Sequence, residues 1–319
     1  MSALATYHQS VSVLIPNYNG AEHLAATLES CVQQKEWLKE IIVVDDHSTD
    51  QSWEILLDWQ KRYPQIRPFR NPNKGGNAAR NFAFTHASGE FVQWLDSDDQ
   101  VLPGKWERQI SCFAERPDLS VVYSDWRMDF HQKGQVVKQV EHPRKEVDDY
   151  LVELLYDRWC PNHCYLLRYS MANELAQMGG WDESYPVHQD TEYILKAAGS
   201  GARFGYQKVL ACVYNKETGN GTVSQKPLST RHRYWFQINE MVKKLVRQRE
   251  DLTAHQRNDY LGLCHTNQLI SSFYCQEVHI KEAFSPTLLR ISLGSRRLKY
   301  LLPFLYLKAM IELAFQKRP

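Results

Sequence analysis

Short apolar runs alternate with amphipathic segments along the first third of the chain. Ile41–Val44 is continuously apolar, and Val11–Ile15 is apolar except for Ser12; polar residues follow both runs closely, which is typical of buried strands. Ile66–Phe69 is a weaker strand pattern, and Phe91–Leu95 is a further apolar and aromatic run. Apolar positions at helical spacing separate these segments. Strands that alternate with helices across short connections predict a parallel α/β sheet with right-handed crossovers.

The pattern is less regular in the middle of the chain. Leu119–Trp126 is typical of a strand that turns back as a hairpin, and helices flank the segment at residues 160–164. Toward the C-terminus the apolar spacing becomes helical throughout. We therefore predict an α/β domain over residues 1–224 and a C-terminal helical region over residues 225–319.

A cluster of carboxylates follows the strand at Phe91–Leu95. The segment Gly89–Asp99 reads GEFVQWLDSDD, so Asp96, Asp98 and Asp99 occupy three of four consecutive positions. Acids this close repel one another unless a cation or a hydrogen-bond network lies among them, which favours a metal site, although a solvated turn could have the same sequence. Polar residues also follow the first two strands. Because the carboxyl ends of parallel strands meet at one edge of a sheet, we expect one shared crevice there.

The composition is that of an ordinary globular protein. The chain has 319 residues, of which 43% are hydrophobic and 24% charged, and its formal net charge is +1. This balance argues against nucleic acid as a partner, because phosphate binding usually requires an excess of basic residues. The opening sequence MSALATYHQS has neither the basic nor the apolar segment of a secretion signal. We therefore expect a cytoplasmic protein whose seven cysteines are reduced.

One segment, CPNHC at residues 160–164, brings two cysteines and a histidine together. Structural zinc sites use four ligands, and the sequence has no second pair at the usual spacing. We therefore favour a packed loop near the active site over a structural zinc site.

The C-terminal tail combines a basic flank with an aromatic and leucine-rich run. Four basic residues between positions 290 and 299 precede Tyr300–Leu307. Lys308 and Glu312 interrupt this run before it reaches the ~20 apolar residues that a spanning helix needs. An interfacial helix on an anionic lipid surface and a core helix with a cationic face share this pattern, so peripheral membrane contact is one of two alternatives.

Four blocks of sequence resemble the family 2 glycosyltransferases with the GT-A fold. In chain order they read VSVLIPNYNG, IIVVDDHSTD, NKGGNAARNFAFTHASGEFVQWLDSDD and GGWDESYPVHQDTEYILKAAGSG. The resemblance covers roughly Ser10 to Tyr214 and leaves the helical remainder uncovered. It implies a GT-A nucleotide-sugar-binding sheet flanked by helices, with the C-terminal helical region appended.

The resemblance implies a set of donor-binding residues. Tyr18 would stack on the nucleobase, and Asp46 would accept the N–H of uracil. Asp98, together with Asp96, matches the motif that binds a divalent metal and the ribose; Mg²⁺ or Mn²⁺ suits such an oxygen site. The full set implied for the donor is Pro16, Tyr18, Asn19, Asp46, Lys74, Arg80, Asn81, Asp96, Ser97 and Asp98. For Lys74 and Arg80 the alternative is a helix with a solvated basic face.

The resemblance also implies an acceptor side. Asp190 matches the general base, and a position at a helix N-terminus would favour its ionised form. Many relatives have an acidic residue immediately before the base, where this chain has Gln189. Further acceptor-site candidates are His163, Trp181 and His188. The loop at residues 215–224 resembles the loop over the phosphates but lacks the histidine often found there.

Together these features predict an inverting, metal-dependent glycosyltransferase. It would move a sugar from a nucleotide-diphosphate donor, UDP-linked in our prediction, to a glycan or lipid-linked acceptor during surface polysaccharide synthesis. The cytoplasm or the inner face of the cell membrane would be its location. Nucleotidyl transfer is disfavoured because no glycine- and arginine-rich loop follows the first strand, and a dehydrogenase because GxGxxG is missing. A catalytically inactive carbohydrate-binding relative is the alternative.

Overall fold

The computed structural model describes residues 8–217 and 226–275, which form two compact units. The first unit comprises the chain up to Asp148, Cys160–Ser184, and Ala202 onward through the last strand. The second comprises Asp149–Trp159, Tyr185–Gly201 and the C-terminal helices. The tail at residues 290–312 and most of the loop at residues 215–224 lie outside the described residues.

The first half of the first unit is a parallel sheet with crossover helices, as predicted. Its elements are β1 (Val11–Asn17), α1 (Leu24–Val32), β2 (Leu38–Asp45), α2 (Ser52–Arg62), β3 (Ile66–Arg70), α3 (Gly76–Phe84) and β4 (Phe91–Trp94). The strands lie in the order β3-β2-β1-β4, and all three pairings are parallel. β1 is therefore the central strand of this half, with β2 on one side and β4 on the other.

The first strand is longer than the sequence predicts. β1 continues through Pro16 to Asn17, where Pro16 is in register with Val44 and Asn17 with Asp45. The pairing of β1 with β4 ends at Leu14. At Pro16 only β2 pairs with β1, so this part of β1 resembles an edge strand. Proline is tolerated there because its missing N–H need not complete a hydrogen-bond ladder on both sides.

The second half of the sheet is mixed in direction. It contains β5 (Gln100–Val101), α4 (Lys105–Glu115), β6 (Val121–Gln132), β7 (Gln135–His142), a 3-10 turn (Asn162–Cys164), β8 (Leu166–Arg168), α6 (Tyr169–Gln177) and β9 (Phe204–Glu217). β8 pairs antiparallel with β4 and β6, which joins the two halves, and β7 forms the predicted hairpin with β6. β9 runs parallel to β6 and antiparallel to β5, so it borders the acidic segment.

A continuous core packs α1, α2 and α4 on one face of the sheet. Val11, Val13 and Ile15 alternate along β1 and contribute to this face, as the two-residue period of a strand requires. Leu28 of α1 and Trp106 of α4 are fully buried against it. The core thus fixes the strand ends on which the polar residues stand.

The second unit is helical. It consists of α5 (Tyr150–Leu155), α7 (Gln189–Ser200), α8 (Leu228–Gln248) and α9 (Ala254–Tyr274). The predicted apolar stripe of α8 is buried at Ile238, Val242 and Val246. Within the described parts of the chain, no helix is long and apolar enough to cross a membrane.

Candidate active site

Three polar strand ends lie side by side at one edge of the parallel half-sheet. The ends of β2 and β4 flank the end of β1, because Asn17 is in register with Asp45 and Leu14 with Trp94. Neighbouring strands are about 4.8 Å apart, so the loops that follow them share one edge. The segments NYN, DDHS and DSDD therefore meet there, as the shared-crevice hypothesis requires.

The loops after β1 and β2 are held together by side-chain hydrogen bonds. Asn17 Nδ2 donates to Asp45 Oδ1 at 3.0 Å. Asn19, with a φ of 50°, accepts the Thr49 N–H at 2.8 Å, and its own N–H donates to Ser48 Oγ at 2.9 Å. These bonds fix the turn that carries Tyr18, whose side chain is 61% exposed and free to stack on a planar ligand.

Asp46 connects the end of β2 to the glycine loop. The Gly75 N–H donates to both of its carboxylate oxygens at 2.9 Å, and Asn71 Nδ2 donates to Oδ1 at 2.8 Å. Gly75 has a φ of 109°, a conformation that residues with a Cβ rarely adopt. Asp46 is buried, with 8% of its surface exposed, while Lys74 of the glycine loop is exposed. The sequence pattern did not single out Asn71, although it stands directly before the PNKGG loop.

Arg80 of α3 is buried and committed to contacts within the protein. Nη2 donates to Asp96 Oδ1 at 2.7 Å and Nη1 to Asn77 Oδ1 at 3.0 Å. The guanidinium lies over the Trp181 ring, 4.7 Å from its centroid. Arg80 therefore holds Asp96 in place, which ties α3 to the acidic segment.

Asn81 holds the segment that contains Trp181. Its Nδ2 donates to the Trp181 carbonyl at 2.9 Å, and its Oδ1 accepts the Trp181 N–H at 2.8 Å. Gly180 has a φ of 62°, and a Cβ there would lie 2.6 Å from Asn81 Oδ1, so only glycine fits. Trp181 itself is 1% exposed.

The acidic segment is a tight turn in which Asp98 and Asp99 have different environments. The Asp99 N–H donates to the Asp96 carbonyl at 3.2 Å, and the Ser97 carbonyl accepts from Thr27 Oγ1 at 2.9 Å. The Asp98 side chain reaches solvent, yet the protein around it displaces much of its water. This desolvation, together with the negative charges of Asp99 and Asp96, raises the pKa of Asp98 to about 7.

This carboxylate turn fits a divalent cation. Crowded negative charge that shifts a carboxyl pKa to about 7 is the environment that a cation relieves. In the described residues no group of three or more His, Cys, Asp and Glu side chains is placed to enclose a metal. Mg²⁺-type sites often use one or two carboxylates and complete their ligand shell with substrate phosphates and water. Asp98, with Asp96 beside it, meets that requirement.

Asp99 points into the protein, where it meets His163. The two side chains are each 1% exposed, and His163 Nδ1 lies 3.1 Å from Asp99 Oδ2. Burial alone would lower the pKa of His163, but the facing charges of Asp99 and Cys212 raise it well above its usual value. The ring of His163 does not line an open acceptor surface in this structure.

The other candidate residues stand at the start of α7, in the second unit. Gln189 and Asp190 are the first two residues of this helix, and both are half-buried. Gln189 Nε2 donates to the Tyr185 carbonyl at 2.9 Å. His188 precedes the helix with a φ of 57°, and its ring lies 5.8 Å from that of Trp235. Burial and the nearby Arg231 charge lower the pKa of His188 to about 4, so this imidazole is neutral at pH 7.

Comparison with known proteins identifies the family. The profile of glycosyl transferase family 2 matches residues 12–174. The chain is 32% identical over 135 residues to the uncharacterized glycosyltransferase YibD of Escherichia coli, which covers 42% of this chain and 39% of YibD. It is 37% identical over 107 residues to TuaG of Bacillus subtilis, a putative teichuronic acid biosynthesis glycosyltransferase, covering 33% of this chain and 42% of TuaG. The matched segments thus span less than half the length of these relatives.

Solved structures with a similar fold cover almost the whole chain. Residues 1–349 of S. aureus TarS, in complex with UDP-GlcNAc, superpose with a TM-score of 0.64 at 19% identity, covering 93% of this chain and 86% of that one. The mannosyltransferase PcManGT of Pyrobaculum calidifontis, in complex with GDP-Man and Mn²⁺, gives a TM-score of 0.53 at 17% identity, covering 98% and 89%. The fold is a GT-A-like α/β sheet flanked by helices, and the chain belongs to glycosyl transferase family 2.

Proposed function

We propose that the protein is an inverting, divalent-metal-dependent glycosyltransferase that uses a nucleotide-diphosphate sugar, with UDP as the nucleotide. The observation that carries this proposal is the convergence of Tyr18, Asp46 and the Asp96–Asp98 turn on one edge of the parallel half-sheet. A UDP-GlcNAc complex of a structural neighbour supports the nucleotide-sugar class.

The donor would lie along this edge. The exposed ring of Tyr18 offers a stacking surface for uracil, and Asp46 offers a carboxylate already oriented by the Gly75 and Asn71 donors. Pro16 and Asn19 shape the same wall, and Asn19 holds it through Thr49. Lys74 is exposed beside the glycine loop and could reach a phosphate.

Asp98 and Asp96 would hold the divalent cation, Mg²⁺ or Mn²⁺, with Ser97 between them. Such a cation offsets the negative charge that develops on a departing nucleoside diphosphate. A fold neighbour that was solved with GDP-Man and Mn²⁺ supports this assignment. Arg80 and Asn77 would keep Asp96 oriented, because the guanidinium bridges both.

Asp190 would act as the general base. An acceptor hydroxyl oxygen attacks the anomeric carbon from the face opposite the diphosphate, the bond from that carbon to the diphosphate oxygen breaks, and the hydroxyl proton passes to the Asp190 carboxylate. The start of α7 favours the ionised form of this carboxylate. His188 and Gln189 stand directly before it and are the acceptor-site candidates of the second unit.

The acceptor would be a glycan or a lipid-linked glycan in surface polysaccharide synthesis. The match to TuaG, whose name refers to teichuronic acid synthesis, supports this class of acceptor. A cytoplasmic enzyme working at the inner face of the membrane would suit a lipid-linked acceptor, and the tail at residues 290–312 is the candidate for peripheral contact.

Replacement of the base tests the enzymatic role. Asp190→Asn keeps the size of the side chain but removes the proton acceptor, so we expect sugar transfer to slow by ~10²–10⁴ while UDP affinity stays unchanged. Transfer is measured as UDP release in the presence of an acceptor, and affinity is measured by calorimetry.

Asp251→Asn is the matched control, because Asp251 is an exposed aspartate of the same unit that pairs with Arg249. It should retain wild-type turnover. Full turnover in Asp190→Asn would show that another group takes the proton. Wild-type protein that binds UDP-sugars but neither transfers nor hydrolyses them would favour the inactive carbohydrate-binding alternative.

A further inference from the structure

The CPNHC segment lies beneath the acidic turn and is held there by buried glutamines. Gln93 of β4 donates from Nε2 to the His163 carbonyl at 3.2 Å. Gln109 of α4 donates from Nε2 to the Cys164 carbonyl at 2.9 Å. Both glutamines are fully buried. The backbone of the 3-10 turn is therefore fixed to the sheet and to α4 independently of its side chains.

From this fixed backbone, the His163 ring meets Asp99. The separation between Nδ1 and Oδ2 is 3.1 Å, and both residues are 1% exposed. A carboxylate this deeply buried is costly unless it is paired, so His163 determines which way the Asp99 side chain can point. Because neither side chain reaches solvent, the pair can influence a ligand only through other residues.

The second oxygen of Asp99 is held by β9. The Asn215 N–H donates to Asp99 Oδ1 at 2.8 Å, while Asn215 Nδ2 donates to the Asp98 carbonyl at 2.7 Å. His131 of β6 contacts Asn215 Oδ1 through Nε2 at 2.9 Å, which orients the amide. Asn215 thus holds the backbone of the acidic turn at the Asp98 carbonyl, while His163 holds the Asp99 side chain.

The consequence concerns Asp98. Its carbonyl is tied to Asn215, and the next side chain is anchored inward, so the backbone at Asp98 has little freedom to rotate. Its carboxyl is directed to solvent, on the side where Asp96 is held by Arg80. Two carboxylates are thereby presented at fixed positions, which lowers the ordering cost of binding a cation between them.

We propose that His163 and Asn215 are positioning residues that hold the Asp96–Asp99 turn in the geometry in which Asp98 binds the divalent cation accompanying a nucleoside diphosphate. This inference rests on the proposed function, and it assigns His163 to the donor side of the site. The role is indirect: both residues act on the cation through Asp98 and Asp99.

The test compares UDP affinity with and without Mn²⁺. We expect His163→Gln to weaken Mn²⁺-supported UDP binding by about 10–100-fold, the usual cost of removing a residue that supports a metal ligand. UDP affinity without metal should change less than about twofold, because Asp46 and Tyr18 are not contacted by the pair. Asn215→Ala should also lose Mn²⁺-supported UDP affinity, by a smaller factor, and keep its metal-free UDP affinity. This variant keeps the test valid if His163→Gln fails to fold.

Two further measurements separate positioning from general destabilisation. His142→Gln is the matched control, since His142 stacks on Trp126 at 3.9 Å in the same unit; its two affinities should stay at wild-type values. Hydrogen exchange of the amides at residues 96–101 should accelerate in His163→Gln and Asn215→Ala before metal is added.

The possible results are distinct. Equal losses with and without Mn²⁺, or unchanged Mn²⁺-supported affinity in both variants, would overturn the positioning role. The proposed function would stand in that case if the wild-type protein binds UDP and Asp98→Asn loses only the Mn²⁺-supported part of that affinity. Wild-type protein that does not bind UDP under either condition would overturn both.

Discussion

Two pairs of consecutive aspartates lie at the same edge of the sheet, and in both pairs the two carboxylates have different environments. In the pair after β2, Asp45 is fully buried beside Arg70, while Asp46 takes up the loop donors Gly75 and Asn71. In the acidic turn, Asp99 is buried beside His163, and Asp98 reaches solvent. In each pair one aspartate is fully buried against a basic side chain. Its neighbour lies at the strand-end edge, where Asp46 is 8% exposed and bonded to the glycine loop and Asp98 is exposed.

The two pairs differ in the groups that surround the carboxylate at the edge, which is Asp46 in one pair and Asp98 in the other. Protein N–H donors already surround Asp46, which suits an acceptor for a base edge. Asp98 instead faces the negative charges of Asp99 and Asp96, and its pKa is raised to about 7. A carboxylate oriented by protein N–H donors, such as Asp46, is suited to accept a hydrogen bond from a ligand. A carboxylate beside other negative charges, such as Asp98, is suited to bind a cation.

Asp98→Asn should have the largest effect on this comparison. The amide keeps the size of the side chain and removes its charge, so Mn²⁺-supported UDP affinity should fall by at least about 100-fold, the upper end of losses seen even for indirect supporting residues. Metal-free UDP affinity should be unchanged in calorimetry. Asp118→Asn, which removes one partner of an exposed ion pair with Arg203, is the control. Unchanged Mn²⁺-supported affinity would remove Asp98 from the cation site.

Lowering the pH should weaken cation binding at the acidic turn. Because a proton competes with the cation for Asp98, affinity for Mn²⁺ with UDP should fall by about tenfold per pH unit below 7 and level off above it. Without metal, the folded state holds this proton more tightly than the unfolded chain, whose pKa is near 3.8. The contribution of Asp98 to the free energy of unfolding therefore decreases as the pH rises from there to about 7.

Asp98→Asn is the reference protein for this pH titration. UDP itself ionises equally in both experiments, so a difference between the two pH profiles reports on Asp98. The logarithm of Mn²⁺-supported UDP affinity should change more steeply with pH in the wild-type protein than in Asp98→Asn. Parallel pH profiles for the two proteins would contradict a titrating Asp98.

Asp46→Asn should reduce UDP affinity by about tenfold, the value of one hydrogen bond to a charged acceptor. The loss should be equal with and without Mn²⁺, and the preference for UDP over CDP should shrink, since cytosine lacks the N–H that uracil donates. Calorimetry with both nucleotides measures this. A loss confined to the Mn²⁺ condition would place Asp46 with the metal-side carboxylates.

Arg70→Gln should affect stability more than binding. Asp45 stays buried with Asn17 and the Ser48 N–H as donors but loses its cationic partner, and Arg70 is itself partly exposed to water. We expect the free energy of unfolding in urea to fall by about 1–2 kcal/mol, with UDP affinity changed less than about threefold. Arg62→Gln, which breaks an exposed helix pair with Asp58, should cost less than about 0.5 kcal/mol. A large loss of UDP affinity in Arg70→Gln would show that Asp45 is not merely an anchor.

Local sequence pattern determined the elements and the identity of the acidic strand end. A continuous apolar run predicted β2 within a few residues, and the weaker pattern at residues 66–69 predicted β3. The alternation of strands and helices predicted the parallel half of the sheet, because each pattern depends on neighbours in the chain. The strand through Pro16 was missed, since whether proline is tolerated depends on how many strands pair with it. The mixed half, in which β8 joins β4 to β6, has no local signal either.

The tertiary structure alone decided which member of each aspartate pair is the anchor. Residues 45 and 46, and residues 98 and 99, are chemically identical neighbours in the sequence, so no pattern distinguishes them. Asp45 is buried against Arg70, which lies 25 residues later in the chain, and Asp99 is buried against His163, which is more distant still in the sequence. Burial of a carboxylate depends on a partner that only the folded sheet brings within reach, and that is why the sequence located the acids while the fold assigned their roles.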